Sequence, residues 1–375
     1  MNIVIAPDSF KGSLTAIQVS NIIENAIMDY DEAYKVIKKP MADGGEGTID
    51  AILSATTGEV IPINCTGPLG ELIPTSYATI DDGQTAVIEC AKMAGLIQVP
   101  EDKRNPDRTT TYGIGETILA ALDKGCTSII IGLGGSATND GGLGMLLALG
   151  MEAFDEHGNK VGIYGQDVHK IQSVDLSKMD SRLNDVSIKV ASDVDNPLCG
   201  ARGASSVYGP QKGATAEQVK SYDQSLYNFS QLIESTLQTS IRDVAGAGAA
   251  GGLGFGLLTI GGQLVSGAEL LANAINMETA IQKADIVLTG EGQSDAQTLY
   301  GKAPGYIASV ATKYNVPTIL ISGGIEEVEQ LSHVFAGSFS IINKPLTLQA
   351  CIEQADTLLY QQTKQVIQLV STLKR

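Results

Sequence analysis

The run Ile129-Ile130-Ile131-Gly132-Leu133-Gly134-Gly135-Ser136-Ala137-Thr138-Asn139-Asp140-Gly141-Gly142 passes from an unbroken apolar segment into a loop of glycines and small polar residues. A strand that is apolar at every position, rather than alternately, is buried on both faces, as in a parallel sheet covered by helices. The same pattern recurs three times. Ile3-Val4-Ile5 leads into Ala6-Pro7-Asp8-Ser9, Ile286-Val287-Leu288 into Thr289-Gly290-Glu291-Gly292, and Ile319-Leu320-Ile321 into Ser322-Gly323-Gly324. Helical patterns lie between. After a capping box at Thr15-x-x-Gln18, Val19, Ile22, Ile23, Ala26 and Ile27 form one apolar face, and residues 115–124, 303–314 and 350–371 read similarly. The pattern predicts an α/β fold with a doubly wound, mostly parallel sheet, whose ligand loops lie beyond the carboxyl ends of the strands.

Two regions break this pattern. Residues 59–89 read as an antiparallel meander with a turn at Asp82-Gly83. Residues 151–269 combine a hairpin signal at Glu156-His157-Gly158-Asn159 with loops and a glycine-rich stretch over 246–262. Together they predict a second, inserted α+β domain. The expected division is 1–58, 90–150 and 270–375 for the doubly wound domain, and 59–89 with 151–269 for the second. Residues 90–112 and 265–285 fit either.

The chain has 375 residues, 43% hydrophobic and 18% charged, enough to bury two cores and unlike a disordered chain. A formal charge of -17 argues against nucleic acid and anionic membrane as partners, since both require Lys/Arg surfaces. A phosphate ligand stays open, because a few cations, backbone N–H groups and Mg²⁺ can hold one in an acidic protein. The five cysteines are scattered, with no C-x-x-C spacing, and the three histidines show no H-x-x-x-H pattern. Neither a disulfide framework nor a zinc site is expected, and a reducing cytoplasm fits. No signal peptide or membrane span is read. The expectation is a cytoplasmic monomer or homodimer acting on small molecules.

Five loops are candidates for chemistry, and each has a plain structural alternative. In Asp8-Ser9-Phe10-Lys11-Gly12-Ser13 an acid, a hydroxyl and a cation share one turn, which also suits a solvated strand-to-helix connection. In Ala42-Asp43-Gly44-Gly45-Glu46 the Asp43 carboxylate can face a ligand, whereas Glu46 suits the positive end of the next helix. Residues 134–142 expose several N–H donors at a helix start, a good phosphate or carboxylate cradle. They contain no Lys, and no G-x-x-x-x-G-K-[ST] loop occurs in the chain. Asp193 and Asn196, in Ser192-Asp193-Val194-Asp195-Asn196-Pro197, suit Mg²⁺ or substrate hydroxyls, or ordinary turn chemistry. Lys212, in Tyr208-Gly209-Pro210-Gln211-Lys212-Gly213, suits an anion or a solvated surface. Glu291, Asp295 and Lys302 combine the carboxylates and the cation that phosphoryl transfer needs, with a helix N-terminal acid as the alternative for Asp295. Gly246-Ala247-Gly248-Ala249-Ala250-Gly251 matches G-x-G-x-x-G but follows no clear strand, so it reads as close backbone packing or an anion-binding turn.

In order along the chain, APDSFKGSLTA, MADGGEGT, NCTGPLGE, TTYGIGE, GLGGSATNDGG, SDVDNPLCGARGA with YGPQKGA, AGAGAAGG and TGEGQSDAQTLYGKAP resemble the bacterial glycerate kinase family. The resemblance covers nearly the whole chain. Departures are mild: Val244-Ala245 replaces a usual Pro, Tyr112 a usual Ser, and Tyr306 a small residue. The resemblance implies the family's two-domain fold and transfer of the γ-phosphoryl of ATP, with Mg²⁺, to D-glycerate. It implies 2-phosphoglycerate first and 3-phosphoglycerate second. On this basis Asp295, Asp193 and Lys302 are the expected catalytic residues, with Asp295 first as the acid–base group. Asp8, Lys11, Asp43, Asn196 and Lys212 are expected to bind substrate. Gly134, Gly135, Ser136, Thr138, Asn139 and Asp140 would cradle phosphate, and Glu291 with Asp43 would hold metal. A dinucleotide oxidoreductase would also explain the glycines, and a non-catalytic sugar-acid sensor would explain two domains.

Overall fold

The computed structural model describes residues 1–42, 44–45 and 47–373. The chain forms two compact units, Met1–Asp43 with Asp50–Thr56 and Ser266–Arg375, and Gly44–Ile49 with Thr57–Val265.

The first unit is built on a five-stranded, all-parallel sheet in the order Gly337–Ser340, Thr318–Ser322, Ile286–Thr289, Asn2–Ile5, Lys35–Lys38. Its three central strands carry the apolar runs, and each face has its own helical cover. Ile3, Ile5, Ile286, Leu288, Ile319 and Ile321 pack with Val19, Ile23 and Ile27 of the helix Ala16–Met28 and with Leu358, Leu359, Val366 and Ile367 of Ala355–Leu373. Leu320, pointing the other way, meets Ala308, Leu331 and Phe335. The capping box forms: Gln18 N donates to Thr15 Oγ1 at 3.2 Å and Thr15 N to Gln18 Oε1 at 2.9 Å. Counted along the chain within this unit, the strands run 2-1-3-4-5 across the sheet. The order therefore reverses between Asn2–Ile5 and Ile286–Thr289, and ligands bind at such switch points.

The second unit holds a six-stranded sheet in the order Gln263–Val265, Ser187–Ala191, Ser128–Gly132, Thr85–Glu89, Leu72–Ile80, Gly58–Thr66. The first four are mutually parallel, and the last two add the antiparallel hairpin expected for 59–89. The turn at 156–159 also forms, with Asp155 N donating to the Asn159 carbonyl at 2.9 Å. The helix Ala216–Leu237 inserts Tyr222, Leu226, Phe229 and Ile233.

One boundary differs from expectation. The strand Ser128–Gly132 pairs with Thr85–Glu89 and Ser187–Ala191, so residues 90–150 belong to the second unit rather than to the sheet of Asn2–Ile5. Its apolar run requires burial on both faces, and either sheet satisfies that requirement. Partner choice depends on contacts remote in sequence.

The G-x-G-x-x-G match turns out to pack backbone on backbone. Ala250, Gly251 and Gly252 have φ of 54°, 72° and 87° at the start of the helix Ala249–Thr259, and the Gly251 carbonyl accepts from Gly141 N at 3.0 Å. A Cβ on Gly251 would lie 1.9 Å from the Thr138 carbonyl oxygen. Gly251→Ala therefore combines left-handed strain with overpacking and should cost about 2–4 kcal/mol in urea denaturation. Unchanged stability would show that the 138–141 backbone yields freely.

Candidate active site

In the first unit, the loops after the first and third strands meet at the switch point. Asp8 N donates to the Gly290 carbonyl at 2.8 Å, and Gly292 lies against the backbone of Phe10 and Lys11. Asp8 is nearly buried and its Oδ1 accepts from Ser9 N at 2.6 Å, while Lys11 is exposed. Glu291 is buried. Its Oε1 accepts from Thr298 Oγ1 at 2.6 Å and Ser294 Oγ at 3.2 Å, and Ser294 Oγ also lies 2.8 Å from Ser322 Oγ. Lys302 Nζ sits 3.6 Å from Glu291 Oε2 and 3.8 Å from Asp295 Oδ1. Neither contact is a short hydrogen bond, so the ammonium retains donors for a further anion.

Asp295 does fill the structural role foreseen as its alternative. It caps the 3₁₀ turn Ala296–Leu299, with Oδ1 accepting from Gln297 N at 2.8 Å and its own N donating to Thr298 Oγ1 at 3.0 Å. Among the described residues, its Oδ2 receives no donor. Capping thus occupies one oxygen of the carboxylate and leaves the other open. Asp43 lies outside the described residues. Among the described residues, no three His, Cys, Asp or Glu side chains are grouped to hold a metal ion.

In the second unit, three adjacent parallel strands end in Glu89-Cys90, residues 133–142 and Ser192-Asp193. The middle loop is held from several sides. Leu96 N donates to the Gly135 carbonyl at 2.7 Å, Ala137 N to the Ala94 carbonyl at 2.8 Å, and Gly134 N to the Gly44 carbonyl at 3.3 Å. Among the described residues, the amides of Gly135, Ser136, Thr138, Asn139 and Asp140 donate to no protein acceptor. Thr138 Oγ1 and Asn139 Oδ1 are also buried without a partner. Buried polar groups are costly to leave unpaired, so such a run suits an acceptor supplied from outside the chain. Gly135 is its exposed edge.

Asp140 is fully buried. Its carboxylate accepts from Thr111 N at 3.0 Å, Thr111 Oγ1 at 2.7 Å, Gly142 N at 3.1 Å and Gly144 N at 3.2 Å. Burial pushes its carboxyl up, and those four donors pull it back. Its side chain shapes the loop, and only its amide remains for a phosphate.

Two of the residues expected at the substrate have partners within the protein. Lys212 is only 2% exposed, and its Nζ donates to Ser136 Oγ at 2.8 Å and to the Thr138 carbonyl at 2.5 Å, so its ammonium is held by the loop rather than by solvent. A lysine in a glycine-bounded turn looks solvated in sequence; only packing hides it. Asn196 uses one N–H and one lone pair of its amide within its own loop, accepting from Tyr208 Oη at 2.6 Å and donating to the Arg202 carbonyl at 2.7 Å, which leaves one of each. Asp193 is exposed. Sequence reasoning missed Thr111, Ser294, Thr298, Ser322 and the buried Glu89, whose Oε1 accepts from Ile49 N at 2.6 Å. Their one signal was position, beside motif acids, at a strand end or, for Thr111, just before the helix Tyr112–Asp123.

Acid and cation loops at a sheet switch point, and an amide-lined loop at parallel strand ends, define an α/β protein built for small anionic ligands. The chain belongs to the glycerate kinase family, whose model matches residues 3–371. It is 46% identical over 358 residues to glycerate kinase of Bacillus subtilis, covering 95% of this chain and 94% of that one. It is 45% identical over 328 residues to glycerate 2-kinase of Escherichia coli, covering 87% and 86%. The crystal structure of a candidate glycerate kinase 2 from Salmonella typhimurium LT2 aligns at a TM-score of 0.90 and 42% identity, over 100% of this chain and 99% of that one.

Burial lowers the Lys212 ammonium to about 8, against opposing pulls from Cys90 and Asp140. A base depressed in the fold binds fewer protons than its unfolded form between that value and its ordinary 10.5, so its contribution favours folding as pH rises through this window. Wild type should therefore gain Tm relative to Lys212→Met between pH 8 and 10 in paired thermal melts. A constant Tm difference across that range would show the ammonium is not depressed.

Proposed function

We propose that this glycerate kinase transfers the γ-phosphoryl group of ATP to the 2-hydroxyl of D-glycerate, giving 2-phospho-D-glycerate and ADP. The observation that carries the reading is the run of amides at 135, 136 and 138–140 that find no acceptor among the described residues, an arrangement suited to phosphate. The 2-position is supported by the name of the Escherichia coli relative, a glycerate 2-kinase. The cytoplasmic setting expected from the sequence belongs to the same reading.

In the transfer, a new O–P bond forms to the glycerate oxygen, the bond to the ADP oxygen breaks, and the hydroxyl proton must leave. Asp295 Oδ2 is the acceptor we assign to that proton, while Oδ1 keeps the turn capped. Lys302, held loosely by two carboxylates, neutralises charge on the transferred group, and Lys11 and Asp8 orient the glycerate carboxylate and hydroxyls. Asp193, exposed after its strand, is the second candidate for the proton. Among the described residues there is no all-protein metal cage. They fit a Mg²⁺ that arrives with nucleotide phosphates and takes only one or two carboxylates, and Glu291 would provide one through Oε2. Such an ion would supply positive charge to offset the negative charge developing on the phosphates.

The reaction is checked by ³¹P NMR of the product from Mg-ATP and D-glycerate. A 2-phosphoglycerate signal is expected; a 3-phosphoglycerate signal corrects the position, and no phosphorylated product overturns the reading. Asp295→Asn keeps an excellent N-cap while removing the base. It should leave Tm within a few degrees of wild type and lower kcat about 100-fold or more. Near wild-type turnover would remove Asp295 from the acid–base role.

A further inference from the structure

Lys212 poses a physical problem. A buried ammonium is expensive, and an apolar side chain of similar volume usually serves stability as well or better. The nearby acid Asp140 is already saturated by four donors, and among the described residues Lys212 forms no ion pair. What the ammonium supplies, and a methionine cannot, is donation to Ser136 Oγ and the Thr138 carbonyl. Lysine has no acceptor, so Ser136 Oγ must receive that bond, and its own hydrogen is left for a different acceptor. A serine hydroxyl in a loop otherwise competes for neighbouring backbone amides. The turn Pro210–Lys212 that carries the cation is itself fixed: Gly213 has φ of 88°, and a Cβ there would lie 2.1 Å from the Arg104 carbonyl oxygen.

Resting on the phosphate-cradle reading above, we propose that Lys212 is a positioning residue for phosphoryl transfer. Buried behind the loop, it occupies the Ser136 oxygen and the Thr138 carbonyl. The hydroxyl hydrogen of Ser136 and the adjoining amides are thereby kept for the phosphate. The residue acts through Ser136 and touches neither substrate. Its charge is faced by Cys90 at the end of one strand, whose thiol burial pushes up to about 12, and by Asp140 in the loop. As pH rises, the ammonium therefore changes state before the thiol does.

The test is steady-state kinetics of full-length wild type, Lys212→Met, Ser136→Ala and the double variant, with Mg-ATP and D-glycerate at pH 6.5 to 10. Lys212→Met should melt within a few degrees of wild type at pH 7 yet lose about 100-fold in kcat/KM for Mg-ATP, comparable to losing an oxyanion donor. Ser136→Ala should lose about 10-fold in the wild-type background and almost nothing in the Lys212→Met background, as expected for coupled neighbours. The alkaline fall in wild-type kcat/KM near pH 8 should be absent in Lys212→Met. Wild-type kinetics in Lys212→Met, or additive losses in the double variant, would overturn the proposal. If Lys212→Met does not fold, Ser136→Ala decides: wild-type kinetics there overturns it equally. An inactive wild type defeats the kinase reading itself, whereas an active wild type with an undisturbed Lys212→Met defeats only this inference.

Discussion

The buried carboxylate of Asp140 is the interaction on which the second unit's site depends. It gathers Thr111 N, Thr111 Oγ1, Gly142 N and Gly144 N, and Thr111 Oγ1 in turn receives Met145 N at 2.9 Å. Two segments some thirty residues apart are thereby locked to one charge. A buried carboxylate survives only when so many donors surround it. Removing any one of them exposes the desolvation cost of the rest. Asp140 draws in the amides of Gly142 and Gly144, and in the loop so held the amides of 135, 136 and 138–140 find no acceptor among the described residues.

The first unit solves a different problem. Its acids lie at the point where the strand order reverses, and each has a structural partner that fixes its direction. Glu291 is held by Ser294 and Thr298, and Asp295 by the turn it caps. Lys302 balances both without a short bond to either. A carboxylate with one oxygen committed and one open is pre-oriented, which lowers the reorganisation needed when a ligand arrives. Structural and chemical roles that look like alternatives in sequence are thus compatible in one side chain, because a carboxylate has two oxygens.

Much of this was legible in the chain itself. The capping box at Thr15 and Gln18, the 59–89 meander and the buried parallel strands all follow from local rules, and all are present. The glycine match at 246–251 was legible as something other than a dinucleotide loop, because no strand preceded it, and of packing and anion-binding turn the structure shows packing. The grouping of Glu291, Asp295 and Lys302 followed from their closeness in sequence. Thr111 with Asp140 and Ser322 with Ser294 were not legible, since nothing local marks a hydroxyl as the partner of an acid or hydroxyl about thirty residues away.

Sequence by itself determined the element types, the alternation of apolar strand and glycine loop, and the set of acids, cations and amides available for phosphate chemistry. These depend on periodicity and on residue chemistry, which act over a few residues. Only the tertiary structure decided which sheet Ser128–Gly132 joins, that Lys212 is hidden behind its loop, and that Asn196 is tied to Tyr208 and Arg202. Burial and partner choice are properties of surfaces that come together from distant parts of the chain. A side chain's solvation, and with it its chemical role, is set by that meeting.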